Sequence, residues 1–144
     1  PAVLDDLGLG AALRSECCRR SERSDVEIDY HVEGGACDLR GEVGLAFFRV
    51  AQEALLNALR HGKPGSIQVS LSRGASEASL SIQDDGLGFD PSKVSGPGIG
   101  LSSMRERIRL VDGVLVLESS PGQGTLVTAR APMAMRLPGV AGEA

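Results

Sequence analysis

Aromatic side chains are scarce. Tryptophan does not occur, Tyr30 is the single tyrosine, and aromatics make up 3% of the 144 residues. That is too few for a base-stacking platform or a membrane aromatic belt. Long apolar runs are missing as well. None approaches the roughly 20 residues of a spanning helix, and no basic leader followed by an apolar stretch marks a secretory signal. Cysteine is limited to Cys17, Cys18 and Cys37. An odd number without C-x-x-C spacing argues against a disulfide framework and against a zinc site. Cys17 and Cys18 read instead as small, half-buried apolar residues of a helix in a reducing compartment. Positive charge is not in excess: the net charge is -4, which argues against general attraction to nucleic acid or an anionic membrane.

What remains is an ordinary soluble composition, 42% hydrophobic and 24% charged, in a length that suits one domain with a real core. The first residue is Pro1 rather than Met, and the expectation is a piece cut from a longer protein. Helical spacing of apolar residues predicts a helix from Leu4 to about Arg20, weakened by Gly8 and Gly10. Alternation predicts a strand over Val26 to Val32, ended by Gly34 and Gly35. The longest helical pattern runs from Gly41 to His61, with Gly62, Pro64 and Gly65 as its stop. Two alternating runs, Ile67 to Leu71 and Ala78 to Ile82, flank a hairpin turn at Arg73 to Ser76. A glycine-rich stretch from Asp84 to Gly100 leads into a helix over Leu101 to Val111. Strands follow at Val114 to Glu118 and Thr125 to Arg130, with a frayed tail after Pro132. The expected architecture is a two-layer α/β (α+β) sandwich. Its sheet is mixed and mostly antiparallel, covered on one face by about three helices.

Three clusters carry chemistry. Glu53, Asn57 and His61 stand four apart, which predicts one shared helical face with Arg60 beside it. A solvated polar face is the plain alternative. A carboxylate followed by an amide oxygen suits Mg²⁺, which takes few protein ligands and keeps several waters, and a nearby cation suits phosphate. The second cluster, Asp84-Asp85-Gly86-Leu87-Gly88, follows a strand, and its glycines allow a tight turn and close backbone approach. An ordinary acidic turn is the alternative there. The third, Gly96-Pro97-Gly98-Ile99-Gly100-Leu101, precedes a helix whose N-terminal N–H groups favour an anion. It is neither a Walker A loop, since no G-K-[ST] follows, nor a Rossmann fingerprint, since no βαβ unit surrounds it.

Taken together, the clusters resemble the ATP-binding catalytic domain of two-component sensor histidine kinases, in the GHKL (Bergerat-fold) superfamily. Glu53-x-x-x-Asn57-x-x-Arg60-His61 is similar to the N box, Asp84-x-Gly86-x-Gly88 to the G1 box, and Gly96-x-Gly98-x-Gly100-Leu101 to the G2 box. Gly124-Thr125 resembles the short G-T element. Gln52-Glu53-Ala54-Leu55 and Met104-Arg105-Glu106-Arg107 resemble the branch paired with helix-turn-helix response regulators. Pro1 to Leu9 resembles the segment that joins the dimerisation helices to the ATPase domain.

The resemblance implies residues 1–10 as a linker from absent dimerisation and phosphoacceptor helices, 11–132 as the ATPase domain, and 133–144 as a flexible tail. It implies ATP and Mg²⁺ as cofactors, with Asn57 as the metal ligand. Glu53 would act as, or position, the catalytic base. Arg60 and His61 would face the phosphates, and Asp84 would accept from the adenine amino group. Asp85 stands where many relatives have Asn. Gly86 and Gly88 would let the adenine pocket close, Gly96, Gly98, Ile99, Gly100 and Leu101 would line the phosphates, and Thr125 would border the nucleotide.

Two features depart from the family pattern. The loop between the G1 and G2 boxes, Asp90 to Ser95, is short for an ATP lid. Neither His31 nor His61 stands in a phosphoacceptor context, so the acceptor histidine is expected on the dimerisation helices. The implied partners are those helices and a response regulator, with no direct nucleic acid or membrane contact, in the cytoplasm. An anti-sigma-factor-type serine kinase and a non-catalytic nucleotide-sensing module are the alternatives. Phe47, Phe48 and Phe89 are expected in the core, His31 on an exposed strand position, and Arg105, Arg107 and Arg109 on a solvated helix face.

Overall fold

The computed structural model describes residues 2–93 and 100–133. Within them the expected helix near the start is two helices, α1 (Ala2–Leu7) and α2 (Leu9–Ser24). Gly8 separates them with φ +90°, and a Cβ there would lie 2.5 Å from the Cys37 carbonyl oxygen. The break is thus set by a close backbone approach that periodicity does not report. Residues expected to act as a linker pack inward: Leu4 and Leu9 are both buried in the core. Cys17 is buried and Cys18 is exposed, so the shared half-buried reading fails for both. One turn apart on the same helix, Glu16 is buried and receives Arg19 Nη2 at 2.5 Å and Arg20 Nε at 3.0 Å. Burial alone would raise its pKa, and the two guanidinium hydrogen bonds outweigh that and hold it below the usual carboxylate range.

The remaining elements are β1 (Glu27–Gly34), α3 (Gly41–Asn57), β2 (Ser66–Arg73), β3 (Glu77–Asp84), α4 (Leu101–Arg109), β4 (Val114–Ser119) and β5 (Thr125–Pro132). The five strands form one sheet in the order β1-β2-β3-β5-β4. β1 and β2 are parallel, and every other neighbouring pair is antiparallel, as expected for a mixed, mostly antiparallel sheet. Side chains alternate across it. Ile67, Val69, Leu71, Leu80, Ile82, Val127 and Ala129 are buried on one face, while Gln68, Ser70, Gln83 and Arg130 on the other are exposed. The helices supply the second layer. Phe47, Val50, Ala51, Ala54 and Leu55 of α3 and Met104 and Ile108 of α4 close the core against that apolar face, each large side chain contributing about 1.5–3 kcal/mol.

Two helix ends differ from expectation. α3 stops at Asn57, and Ala58–Gly62 continues as a π-helical turn. The chain then reverses at Lys63, whose φ is +48°, rather than at a glycine. The segment expected as helix to Val111 ends at Arg109, with the Gly113 N–H bonded to the Ile108 carbonyl at 2.9 Å.

Candidate functional site

Strand register assembles the site. Asp84, the last residue of β3, pairs with Thr125, the first of β5. Thr125 pairs in turn with Ser119, the last residue of β4. Directly opposite residues of neighbouring strands share a face, so Ser119, Thr125 and Asp84 form a row across the end of the sheet. The Asp84 parity is that of buried Leu80 and Ile82, which turns the row toward the helices.

Above that row lies a cavity of about 290 Å³. Its walls are Ala54, Ala58, Ile82, Phe89, Met104, Leu117 and Val127, and its polar groups are Asn57, His61, Asp84 and Thr125. An apolar slot with a few convergent polar atoms suits a flat heterocycle carrying one polar edge. Asp84 is only 8% exposed. Burial raises its pKa, assisted by the neighbouring Asp85 charge, while the Gly86 and Thr125 N–H groups oppose the rise. The Gly86 N–H donates to Asp84 Oδ1 at 2.8 Å.

Three chain segments meet backbone to backbone around Asp84, and this is what the glycines serve. A Cβ on Gly86 would lie 2.3 Å from the Gly62 carbonyl oxygen, one on Gly88 2.1 Å from the Ser120 carbonyl oxygen, and one on Gly124 2.1 Å from the Asp84 carbonyl oxygen. Gly88 and Gly124 also have positive φ, +65° and +72°. The Leu87 N–H reaches the Gly62 carbonyl at 2.7 Å and the Gly122 N–H reaches the Leu87 carbonyl at 2.6 Å. Asp85 fastens the same junction from outside. Its Oδ1 accepts the Gly65 and Ser66 N–H groups at 2.8 and 3.0 Å, and its Oδ2 accepts the Ser66 hydroxyl at 3.1 Å. These bonds depress its pKa. Asp85 does not line the cavity, and an Asn side chain could accept the same two N–H groups.

The expected common face of Glu53, Asn57 and His61 is divided. Asn57 and His61 line the cavity, and the π turn between them is wider than an α turn. Glu53 lies one turn away, with its carboxyl group packed against Gly100 at the start of α4: a Cβ on Gly100 would stand 2.7 Å from Glu53 Cδ. It lines a neighbouring cleft with Arg20, Arg49, Gln52 and Arg107, and Met104 borders both spaces. Arg60 is exposed and outside the cavity. Leu101 opens α4 and is half-buried. Gly96, Gly98 and Ile99 lie outside the described residues, as does the end of the expected short lid.

Phe47 and Phe48 are core residues as expected, whereas Phe89 is half-buried and forms a cavity wall. The reason is its anchoring: the Phe89 N–H donates to Ser119 Oγ at 2.9 Å, which draws the loop over the sheet end. Ser119 escaped the sequence reading, because a serine before a Pro-Gly turn is commonplace and its partners are 5, 6 and 30 residues away. His31 is exposed, as expected, and so are Arg105, Arg107 and Arg109.

Comparison with known proteins agrees with this geometry. Residues 42–135 match the family described as "Histidine kinase-, DNA gyrase B-, and HSP90-like ATPase". The chain belongs to that family. It is 39% identical over 141 residues to the sensor histidine kinase MctS of Rhizobium johnstonii, covering 96% of this chain and 30% of that protein. It is 36% identical over 137 residues to the oxygen sensor histidine kinase NreB of Staphylococcus carnosus, covering 92% of this chain and 39% of that protein. The chain thus spans less than two fifths of either relative's length. In fold it is similar to the histidine kinase domain of the Erythrobacter litoralis blue-light activated histidine kinase, with a TM-score of 0.66, 22% identity, and coverage of 86% of this chain and 60% of that one. The resemblance to the ATP-binding domain of sensor histidine kinases, read from the N, G1 and G2 boxes, is borne out by these relatives. No described helix is long and apolar enough to cross a membrane.

Proposed function

We propose that this chain holds Mg-ATP and donates its γ-phosphate to a histidine on separate dimerisation helices, as part of a cytoplasmic two-component signalling protein whose product is passed to a response regulator. The observation that carries the reading is the buried Asp84 carboxylate beside Thr125 at the floor of an apolar slot. An acceptor pair there fits the amino edge of adenine, and the sugar and phosphates would lead out past Asn57 and His61.

The donor set suits Mg²⁺ that arrives with the nucleotide. Among the described residues no three His, Cys, Asp or Glu side chains gather as a metal cage. Asn57 lines the cavity and carries a single hard amide oxygen, in keeping with an ion that takes few protein ligands alongside phosphate oxygens and water. When bound, the ion neutralises charge on the phosphates. His61 adds a ring N–H donor at the cavity wall, and the exposed Arg60 next to it in sequence adds a cation for the phosphates outside the cavity. The Gly100–Leu101 end of α4 supplies backbone N–H groups, and Glu53 orients or deprotonates the attacking imidazole. Phosphoryl transfer of this kind is mainly positioning and charge neutralisation.

The test is radiolabelled ATP with the chain alone and with the dimerisation helices added. The chain alone is expected to bind ATP and remain unlabelled, because His61 is held in the cavity wall and His31 lies on a strand. Added helices should acquire acid-labile phosphohistidine. Acid-stable phosphoserine would overturn the histidine-kinase reading in favour of a serine kinase.

A further inference from the structure

Proton accounting around Ser119 leads to a residue that sets base preference without touching the base. Its hydroxyl carries one hydrogen and two acceptor sites. The Gly124 carbonyl, 2.9 Å away, has no proton to give, so the Ser119 hydrogen goes there. The Phe89 N–H, also at 2.9 Å, fills one acceptor site. The third partner is Thr125 Oγ1 at 2.9 Å. With the Ser119 proton committed, Thr125 must be the donor in that contact. Its only hydroxyl hydrogen then points at Ser119, and it meets the cavity with lone pairs alone. Asp84, paired with Thr125 in the sheet register, adds a second acceptor on the same floor.

We propose that Ser119 is a specificity-determining positioning residue: by taking the Thr125 proton it leaves two side-chain acceptors at the cavity floor, which favours a 6-amino purine and disfavours a 6-oxo purine. The inference rests on the nucleotide reading above. An amino group brings hydrogens to both acceptors. A carbonyl oxygen brings none, since a 6-oxo purine carries its edge hydrogen on N1 instead, and so its lone pairs face those of the floor, an arrangement that a binding site disfavours. Without Ser119 the Thr125 hydroxyl is free to rotate and donate to that carbonyl.

ATP and ITP serve as the probes, since they differ at this edge of the base. Their affinities are measured by calorimetry for the full chain, for Ser119→Ala, for Thr125→Val and for the double variant, with thermal melting as the check on folding. The chain should bind ATP more tightly than ITP. Ser119→Ala should narrow that ratio roughly tenfold, whereas a purely structural loss would weaken both nucleotides alike and leave the ratio intact. In the Thr125→Val background the added Ser119→Ala change should leave the ratio where it stands. An unchanged ratio in Ser119→Ala overturns the proposal. Should that variant fail to fold, Thr125→Val decides: its ratio must shrink by a similar factor, and an unchanged one overturns the proposal. Failure of the unmodified chain to bind either nucleotide instead overturns the nucleotide reading on which the proposal stands.

Discussion

The two ends of the site are built by different means. Around Asp84 the chain meets itself backbone to backbone: Gly86 against Gly62, Gly88 against Ser120, Gly124 against Asp84. Around Glu53 the groups are long polar side chains from three helices, Arg20, Arg49, Glu53 and Arg107, facing an open cleft. Backbone contacts of the first kind admit little adjustment, so the Asp84 end is fixed by the fold itself. Side chains of the second kind have rotamer freedom and can be drawn into place by a partner. On the proposed function, the difference separates recognition from transfer: the Asp84 end would be fixed within this chain, and the Glu53 end would be finished by what docks beside it.

The comparison can be broken most forcefully at the transfer end. Glu53→Gln keeps the shape against Gly100 and removes the proposed base. In protein supplied with the dimerisation helices, phosphotransfer should drop about 10²–10⁴-fold while ATP affinity changes little. A parallel loss of ATP affinity, measured by calorimetry, would merge the two ends. At the recognition end a large effect on stability is expected of Gly88→Ala, which combines a forbidden approach to Ser120 with a positive φ. It should lower unfolding free energy by roughly 2–4 kcal/mol. Gly122→Ala is its control, since φ is +82° there but nothing lies within 4 Å of a Cβ. Its cost should stay near 1 kcal/mol. Denaturant midpoints separate the two, and equal losses would mean that chain approach is irrelevant.

Much of this was readable beforehand, and the reason is local. Alternation at Ile67 to Leu71 and Ala78 to Ile82 is a property of neighbouring residues, and so are the spacings of the three boxes. What escaped depends on contacts between distant segments. The Gly8 break answers to Cys37, the π turn at Ala58 widens the very helix end that carries Asn57 and His61, and Phe89 leaves the core because Ser119 holds its N–H. Asp85 looked like a ligand residue beside Asp84, and its carboxylate is taken by Gly65 and Ser66. No spacing rule distinguishes the two aspartates. Their opposite burial does.

Asp84 also makes a prediction of sign. Folding raises its pKa from 3.8 through burial, so its ionised form opposes folding. Below pH 3.8 both states hold the proton and the residue is neutral in effect. As pH climbs from there through the folded-state pKa, stability is lost, and Asp84→Asn should avoid that loss while keeping an acceptor for the Gly86 N–H. The variant should match the unmodified chain in acid and become the more stable of the two toward neutral pH, as read by thermal melting against pH. Glu16 should act oppositely. Its depressed pKa contributes stability above the ordinary carboxylate range, which fades as pH falls through the folded value.

The central claim is that the Asp84 end recognises the base unaided. It is tested most directly by titrating the chain with adenosine, which has no phosphates, and repeating with Asp84→Asn. The account predicts measurable binding that weakens by roughly 1.5–3 kcal/mol in the variant, the worth of a charged hydrogen bond. Equal binding of adenosine to both proteins would contradict it.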